Sequence, residues 1–298
     1  MPSRWWVPLR GLLTPEVSVT HVHAAFSRWF DQSGPEHHFG DKPYAISPMS
    51  EHRGQPGLEI ATLTEQAEER LHSHAQRGAK VKLGRLAAYV GTLSLVQRDT
   101  WADLATHNGA TQWRLEFVTP VTFRSGDRSS PAPHAATILE GLRRVWQAWS
   151  DTPLPEPAGA HAHGWISDLD LRSEILTFPV SSRTRRRPTT VTVSAATGQI
   201  VIRPTQPDAA PAVGALLRLA AYSGVGSMTR KGLGVTRVSA LACVPSPYAA
   251  PAASPSIPRS AVLSTALSSP PPAPSPSPIV APSAPPLDSE HAHDGAAR

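Results

Sequence analysis

VGALLRLAAYSGVGSMTRKGLGVTRV, residues 213–238, decides how the chain is read. Val213, Leu216, Leu217 and Ala220 recur at helical spacing, which predicts an amphipathic helix running to about Tyr222. Glycines at 224, 226, 232 and 234 end that helix, and from Leu233 a weak alternation predicts a strand. The unit is helix, glycine-rich loop, strand. Residues without Cβ let the backbone take positive φ and come close to a partner. Ser227 and Thr229 add hydroxyl donors there, and Arg230 and Lys231 add positive charge. Such a loop suits the backbone of a polyanion. A phosphate-cradling mononucleotide loop has the reverse order, strand before helix, and a Gly-Lys-Ser/Thr ending that is absent here. The dinucleotide fingerprint also fails, because position 229 is threonine. On composition alone, a flexible connection with incidental charge fits the loop equally well.

Outward from this stretch, composition bounds the rest. A chain of 298 residues has room for two modest domains, each with its own core. Of its 32 prolines, 14 lie between Pro245 and Pro286, and no aromatic residue follows Tyr248. Such text cannot bury enough apolar surface to offset its ordering entropy, so 245–298 is expected to be a disordered tail. Lys and Arg number 28 against 23 Asp and Glu, an excess that fits nucleic-acid binding without requiring it. Its placement is more informative. Arg183, Arg185, Arg186 and Arg187 form one cluster, while Arg218, Arg230, Lys231 and Arg237 surround the glycine loop. Cys243 is the only cysteine, which excludes an internal disulfide and a thiolate zinc cage. No apolar run approaches the ~20 residues of a membrane span, and the opening MPSRWWVPLRG has no signal-peptide core. The expected location is the cytoplasm.

From the start of the chain, periodicity predicts a strand at Trp5–Leu13, bulged or at an edge because of Pro8, and a helix at Glu16–Phe30. An extended run at Tyr44–Met49 and a strand at Leu58–Leu63 follow. Thr62 and Glu65 have capping-box spacing before a helix striped by Leu63, Ala67, Leu71 and Ala75. Lys80–Gln97 suits one or two strands, and Thr100–His107 a short helix. The second half repeats the order: a strand at Trp113–Phe117 with an extension, a helix marked by Ile138, Leu142, Val145 and Trp149, then strands at Leu171–Val180, Thr189–Val193 and Gln199–Arg203. Ala196-Thr197-Gly198 is expected to be a turn between the last two. The predicted class is α+β, a β-α-β-β-α-β order met twice, which is the ferredoxin-like arrangement.

Three strings stand in order: KPYAISPM at 42–49, FVTPVTFR at 117–124 and AYSGVGSMTRKGLGVTRV at 221–238. Together they resemble the RAMP superfamily, in particular the CRISPR repeat-processing endoribonucleases, over most of residues 1–243. The resemblance implies two tandem ferredoxin-like domains, 1–110 and 111–244, with RNA bound across the cleft between them and cut without a metal ion or other cofactor. The ribose 2′-hydroxyl attacks the adjacent phosphorus, leaving a 2′,3′-cyclic phosphate and a 5′-hydroxyl. It carries the catalytic role to the pair His37 and His38, in the loop after the first helix, and to Lys42. Histidine suits proton transfer near neutrality, and lysine suits the developing charge. RNA contacts are expected from Gly224, Gly226, Ser227, Thr229, Arg230, Lys231, Gly232 and Gly234, and from the basic run Arg183, Arg185, Arg186 and Arg187, which suits stem phosphates.

Some relatives place a tyrosine on the first helix. Here His21 and His23 stand in that region instead, and Tyr44 is a further candidate for substrate contact or packing. The spaced pairs His21/His23, His72/His74, His161/His163 and His291/His293 are expected to bind no metal, since the first two fall on helices that splay them apart. The implied partners are CRISPR repeat RNA and a CRISPR interference complex, with no membrane and a monomer or homodimer as the assembly. The alternative reading keeps the fold without the chemistry, as a RAMP subunit that holds guide RNA in an effector complex.

Overall fold

The structure, a computed structural model, describes residues 1–12, 17–31, 42–126, 128–156, 163–180 and 189–241. His37, His38, the arginine cluster at 183–187 and the tail at 245–298 lie outside the described residues. All described residues fall in one compact unit, Met1–Ser246. Its elements are β1 (Ser3–Arg10), α1 (Val19–Phe26), β2 (Tyr44–Ile46), β3 (Ser50–His52), β4 (Gln55–Thr62), α2 (Glu65–His74), β5 (Lys80–Leu83), β6 (Leu86–Val90), β7 (Ser94–Arg98) and α3 (Trp101–Ala105). They continue as β8 (Trp113–Val121), β9 (Phe123–Ser125), β10 (Arg128–Ser130), α4 (Ala135–Trp149), β11 (Gly164–Val180), β12 (Thr189–Pro204), α5 (Ala210–Ser223) and β13 (Thr236–Ala240). The fold is mixed α+β with antiparallel strand pairing, as the periodicity predicts.

In the first sheet β1 is central rather than at an edge. It pairs with β4 on one side and, on the other, with β7 along Ser3–Trp6 and then β6 along Leu9–Arg10. Pro8 sits where the neighbour changes. Its carbonyl accepts from Gly91 N at 2.8 Å, so the N–H that proline lacks faces that junction and no ladder bond is lost. Helix α2 is capped by Thr64, whose Oγ1 accepts from Ala67 N at 3.2 Å, not by Thr62. Thr62 ends β4, and its buried hydroxyl bonds Ser3 Oγ at 2.8 Å.

The second sheet has the order β11-β12-β8-β13. Along β8, Trp113, Leu115 and Phe117 are buried and Arg114, Glu116 and Val118 exposed, which is the alternation the sequence shows. The expected turn at 196–198 is absent, because β12 runs straight through it. Gly198 takes φ +125° opposite Leu171, and the register against β8 shifts there, so the glycine makes a bulge within one long strand.

Helix α5 is not amphipathic. It begins at Ala210, and nearly every side chain through Tyr222 is buried, because it packs on elements of both sheets and on α3 and α4. Arg218 leaves its far side, away from the glycine loop the sequence reading put it beside. Its guanidinium donates to the carbonyls of Asp103 (3.1 Å), Leu104 and Thr106, which closes the C-terminal end of α3. Among the described residues no helix is long and apolar enough to cross a membrane. Arg218→Ala should lower stability by about 1–3 kcal/mol in chemical denaturation, since it strands the carbonyls at the end of α3.

Candidate nucleic-acid interface

At the C-terminus of α5 the chain turns at Gly224 and crosses back against the end of β8. Val225 N donates to Gly234 O at 2.9 Å, Ser227 N to Thr122 O at 2.7 Å, Gly234 N to Pro120 O at 2.8 Å, and Val235 N to Thr119 Oγ1 at 2.9 Å. Two glycines make this approach possible. A Cβ on Gly234 would stand 1.9 Å from Val225 O, and one on Gly226 would stand 2.5 Å from Thr122 O, both at positive φ. Between them Met228 takes a left-handed conformation and Thr229–Lys231 form a single 3-10 turn. Leu233, Phe178 and Val193 make a small buried cluster with Met228, Leu176 and Val19, tying the loop to β11, β12 and α1.

The loop faces a cleft of about 630 Å³. Gly226, Ser227, Thr229, Arg230 and Lys231 line it together with His23, Asp31, Lys42 and Tyr44. Lys42 Nζ lies 3.3 Å from Asp31 Oδ1, and Tyr44 donates to Asp31 Oδ2 at 3.0 Å. Burial, and then the Asp31 charge and hydrogen bond, push the Tyr44 hydroxyl above its ordinary pKa. The cleft narrows into a groove of about 200 Å³ between α4 and β9, where Arg124 and Arg144 stand beside Ser227 and Thr229.

His23 and His21 diverge, as helical spacing requires. The His21 ring covers Gly84, where a Cβ would be 2.7 Å from it, whereas His23 points to the glycine loop and lines the cleft. Burial lowers the His23 pKa below 6.5; a hydrogen bond to the Arg230 backbone opposes this, the charges of Lys231 and Arg230 lower it further, and Asp31 raises it. Its Nδ1 is buried with no hydrogen-bond partner among the described residues. No group of three or more His, Cys, Asp or Glu among the described residues is arranged to hold a metal ion.

The structure thus brings Lys42, Gly226, Ser227, Thr229, Arg230 and Lys231 to one cleft. Gly224, Gly232 and Gly234 do not line this cleft and shape the backbone: Gly232 lies against Pro48, where a Cβ would be 2.9 Å from its Cδ. Sequence reasoning missed the placement of Arg124, Arg144 and His23 at the cleft and its groove. The signal for Arg124 was its place at the end of FVTPVTFR, and for His23 its place on the first helix; nothing in the sequence singles out Arg144.

Comparison with known proteins first defines a class. The fold is that of the RAMP-like Cas6 proteins. A Cas6 product complex superposes with a TM-score of 0.65 at 23% identity, over 80% of this chain and 99% of that one. A Cas6 substrate-mimic complex gives 0.58 at 20% identity, over 80% and 99%. Thermus thermophilus Cas6 gives 0.57 at 21% identity, over 80% and 98%. In sequence, residues 115–236 match the model of the CRISPR-associated endoribonuclease Cas6 family, the same kind of protein that the three strings resemble. No curated protein matches the chain.

With its folded pKa depressed, His23 binds fewer protons in the folded chain than in the unfolded one between its folded pKa and about 6.5. Its contribution to stability is therefore full above pH ~6.5 and falls as the pH drops through that window. An NMR titration of the His23 ring should show a midpoint below 6.5. A midpoint at or above it would mean that the burial and cations described here do not act on this ring.

Proposed function

We propose that the chain is a metal-independent endoribonuclease that cleaves precursor CRISPR RNA within its repeats by 2′-hydroxyl attack, acting in the cytoplasm and passing its product to an interference complex. One observation carries this reading: a single cleft in which the cations and hydroxyls of a braced glycine loop face a half-buried imidazole and a lysine held by a carboxylate. Arg230 and Lys231 supply charge for the scissile phosphate and its neighbours, and Ser227 and Thr229 supply hydroxyl donors. Lys42 is held ready by Asp31, and a phosphate entering the cleft competes for the same ammonium.

Cutting at the 2′-hydroxyl requires one group to take that proton and another to protonate the leaving 5′ oxygen. We assign these to the pair His37 and His38 and to His23, the imidazole that α1 offers. Support for the first pair comes from its flanks, since Asp31 and Lys42, which bracket the segment, both line the cleft. The arginines at 183, 185, 186 and 187 join the ends of β11 and β12 in sequence, and we assign them to the phosphates of a repeat stem.

The scaffold we propose is two ferredoxin-like domains, 1–110 and 111–244. In the second, β8, α4, β11, β12, α5 and β13 follow in the order β-α-β-β-α-β. In the first, β1, α1, β2, β4, α2 and β7 do so, with β3 added beside β4 and the β5–β6 hairpin inserted.

Repeat RNA incubated with the protein in excess chelator should be cut to a 2′,3′-cyclic phosphate end, and a substrate with one 2′-deoxy nucleotide at the cleavage position should bind and stay whole. Cutting of the deoxy substrate would exclude this chemistry, and an RNA retained but intact in every condition would make the chain a guide-binding subunit. The joint change His37→Ala and His38→Ala, and separately His23→Gln, should each slow single-turnover cleavage by about 10²-fold or more with affinity little changed. By contrast, Arg230→Ala with Lys231→Ala should weaken binding and lower its salt slope by up to about 2.

A further inference from the structure

We infer that two copies of the chain join edge to edge through β11, extending the second sheet across a two-fold axis at Ser173. This assembly is independent of the RNA reading. Strand β11 is the last in its sheet, and among the described residues its outer side pairs with nothing along Gly164–Val180. A long free edge is a template for another strand, and most folds blunt it with a bulge, a cover or like charge. Here the pairing with β12 is regular from Asp168 to Val180. Ile175 is 74% exposed and Leu169 56%, the two most exposed of the large apolar side chains described.

The occupant follows from the pattern of the strand itself. In an antiparallel pair related by a two-fold axis normal to the sheet, residues facing one another share a face, so the axis must pass through a residue position. Centred on Ser173, the pairing sets Arg172 against Glu174 of the other copy, twice, and Leu171 against Ile175, also twice. Opposite charges fall on one face and apolar side chains on the other. Neighbouring registers do worse. Centring on Arg172 sets Asp170 against Glu174 and Arg172 against itself, and centring on Leu171, although it sets Asp170 against Arg172 twice, also sets Asp168 against Glu174 twice and separates Leu171 from Ile175. The charges that would protect the edge from most strands therefore select a second copy of this one.

Sedimentation equilibrium of the full chain, freed of nucleic acid, tests the proposal. The protein should show a monomer–dimer equilibrium. Arg172→Glu and Glu174→Arg, each alone, should weaken the dimer by about tenfold or more, since each places like charges opposite one another twice. Mixing the two variants should restore it, because each then meets its complement. Circular dichroism of both variants should match the parent, as Arg172 is exposed and Glu174 half-buried at the edge. A monomer at every concentration would overturn the inference and leave the edge for a different protein. A dimer indifferent to these reversals, or variants that do not recover on mixing, would overturn it too.

Discussion

Three backbone segments distant in sequence meet at the glycine loop, two by hydrogen bonds and the third by close packing, and the rest of the structure depends on that contact. Thr119 to Thr122 accepts from Ser227, Gly234 and Val235, while Pro48 presses on Gly232. These are the strings that carry the family resemblance, and in the structure they meet. Each proline exposes a carbonyl or a ring at a point where the opposing residue has no side chain. The first half of the chain supplies Pro48, the second half supplies the other two segments, and the cleft forms where they meet.

Helix α5 makes this junction rigid. Because it is buried on almost every side, it has a single position against both sheets, and Gly224 leaves its last turn at a defined point. An amphipathic helix on one sheet would let the loop move with that sheet alone. The cost is borne by polar groups at the helix margin. Tyr222 donates to Asp99, and Arg218 caps α3. Both interactions tie the helix to the β7–α3 region, so the loop's anchor reaches back into the first half of the chain.

Local patterns were legible where one rule governs. The alternation of Trp113, Leu115 and Phe117 announces β8, and the stripe of Ile138 and Leu142 announces α4, because each has one buried face. The order helix, glycine loop, strand was legible for the same reason. Errors fell where two rules compete. Ala196-Thr197-Gly198 carries turn residues, yet the long partner strand β11 outweighs them and the glycine becomes a bulge. Thr62 and Thr64 both precede Glu65, and only the sheet decides which one is free to cap. Arg218 lies near the loop in sequence, but its helix carries it to the opposite side, and no local pattern records which face of a wholly buried helix it leaves. In the candidate site, Lys42 and the loop cations were legible as residues but not as a constellation. Asp31 was invisible, since a lone aspartate after a helix has no pattern until Lys42 and Tyr44 are seen to share it.

The electrostatics of the cleft have a direction. In the empty cleft burial first, and then the charges of Lys231 and Arg230, press the His23 imidazole toward its neutral form, while Asp31 occupies the Lys42 ammonium. A phosphate in the cleft would oppose both charge effects, leaving the effect of burial in place. Its charge screens the two loop cations from His23 and draws Lys42 from Asp31, so proton uptake by the imidazole becomes easier only when the polyanion is seated. If the proposed cleavage takes place in this cleft, an acid at His23 is favoured in the bound state and disfavoured in the empty one. In that reading binding and proton transfer are coupled through one set of charges, and the coupling needs the loop held within reach of α1, which the small cluster of Leu233, Phe178, Val193 and Val19 provides.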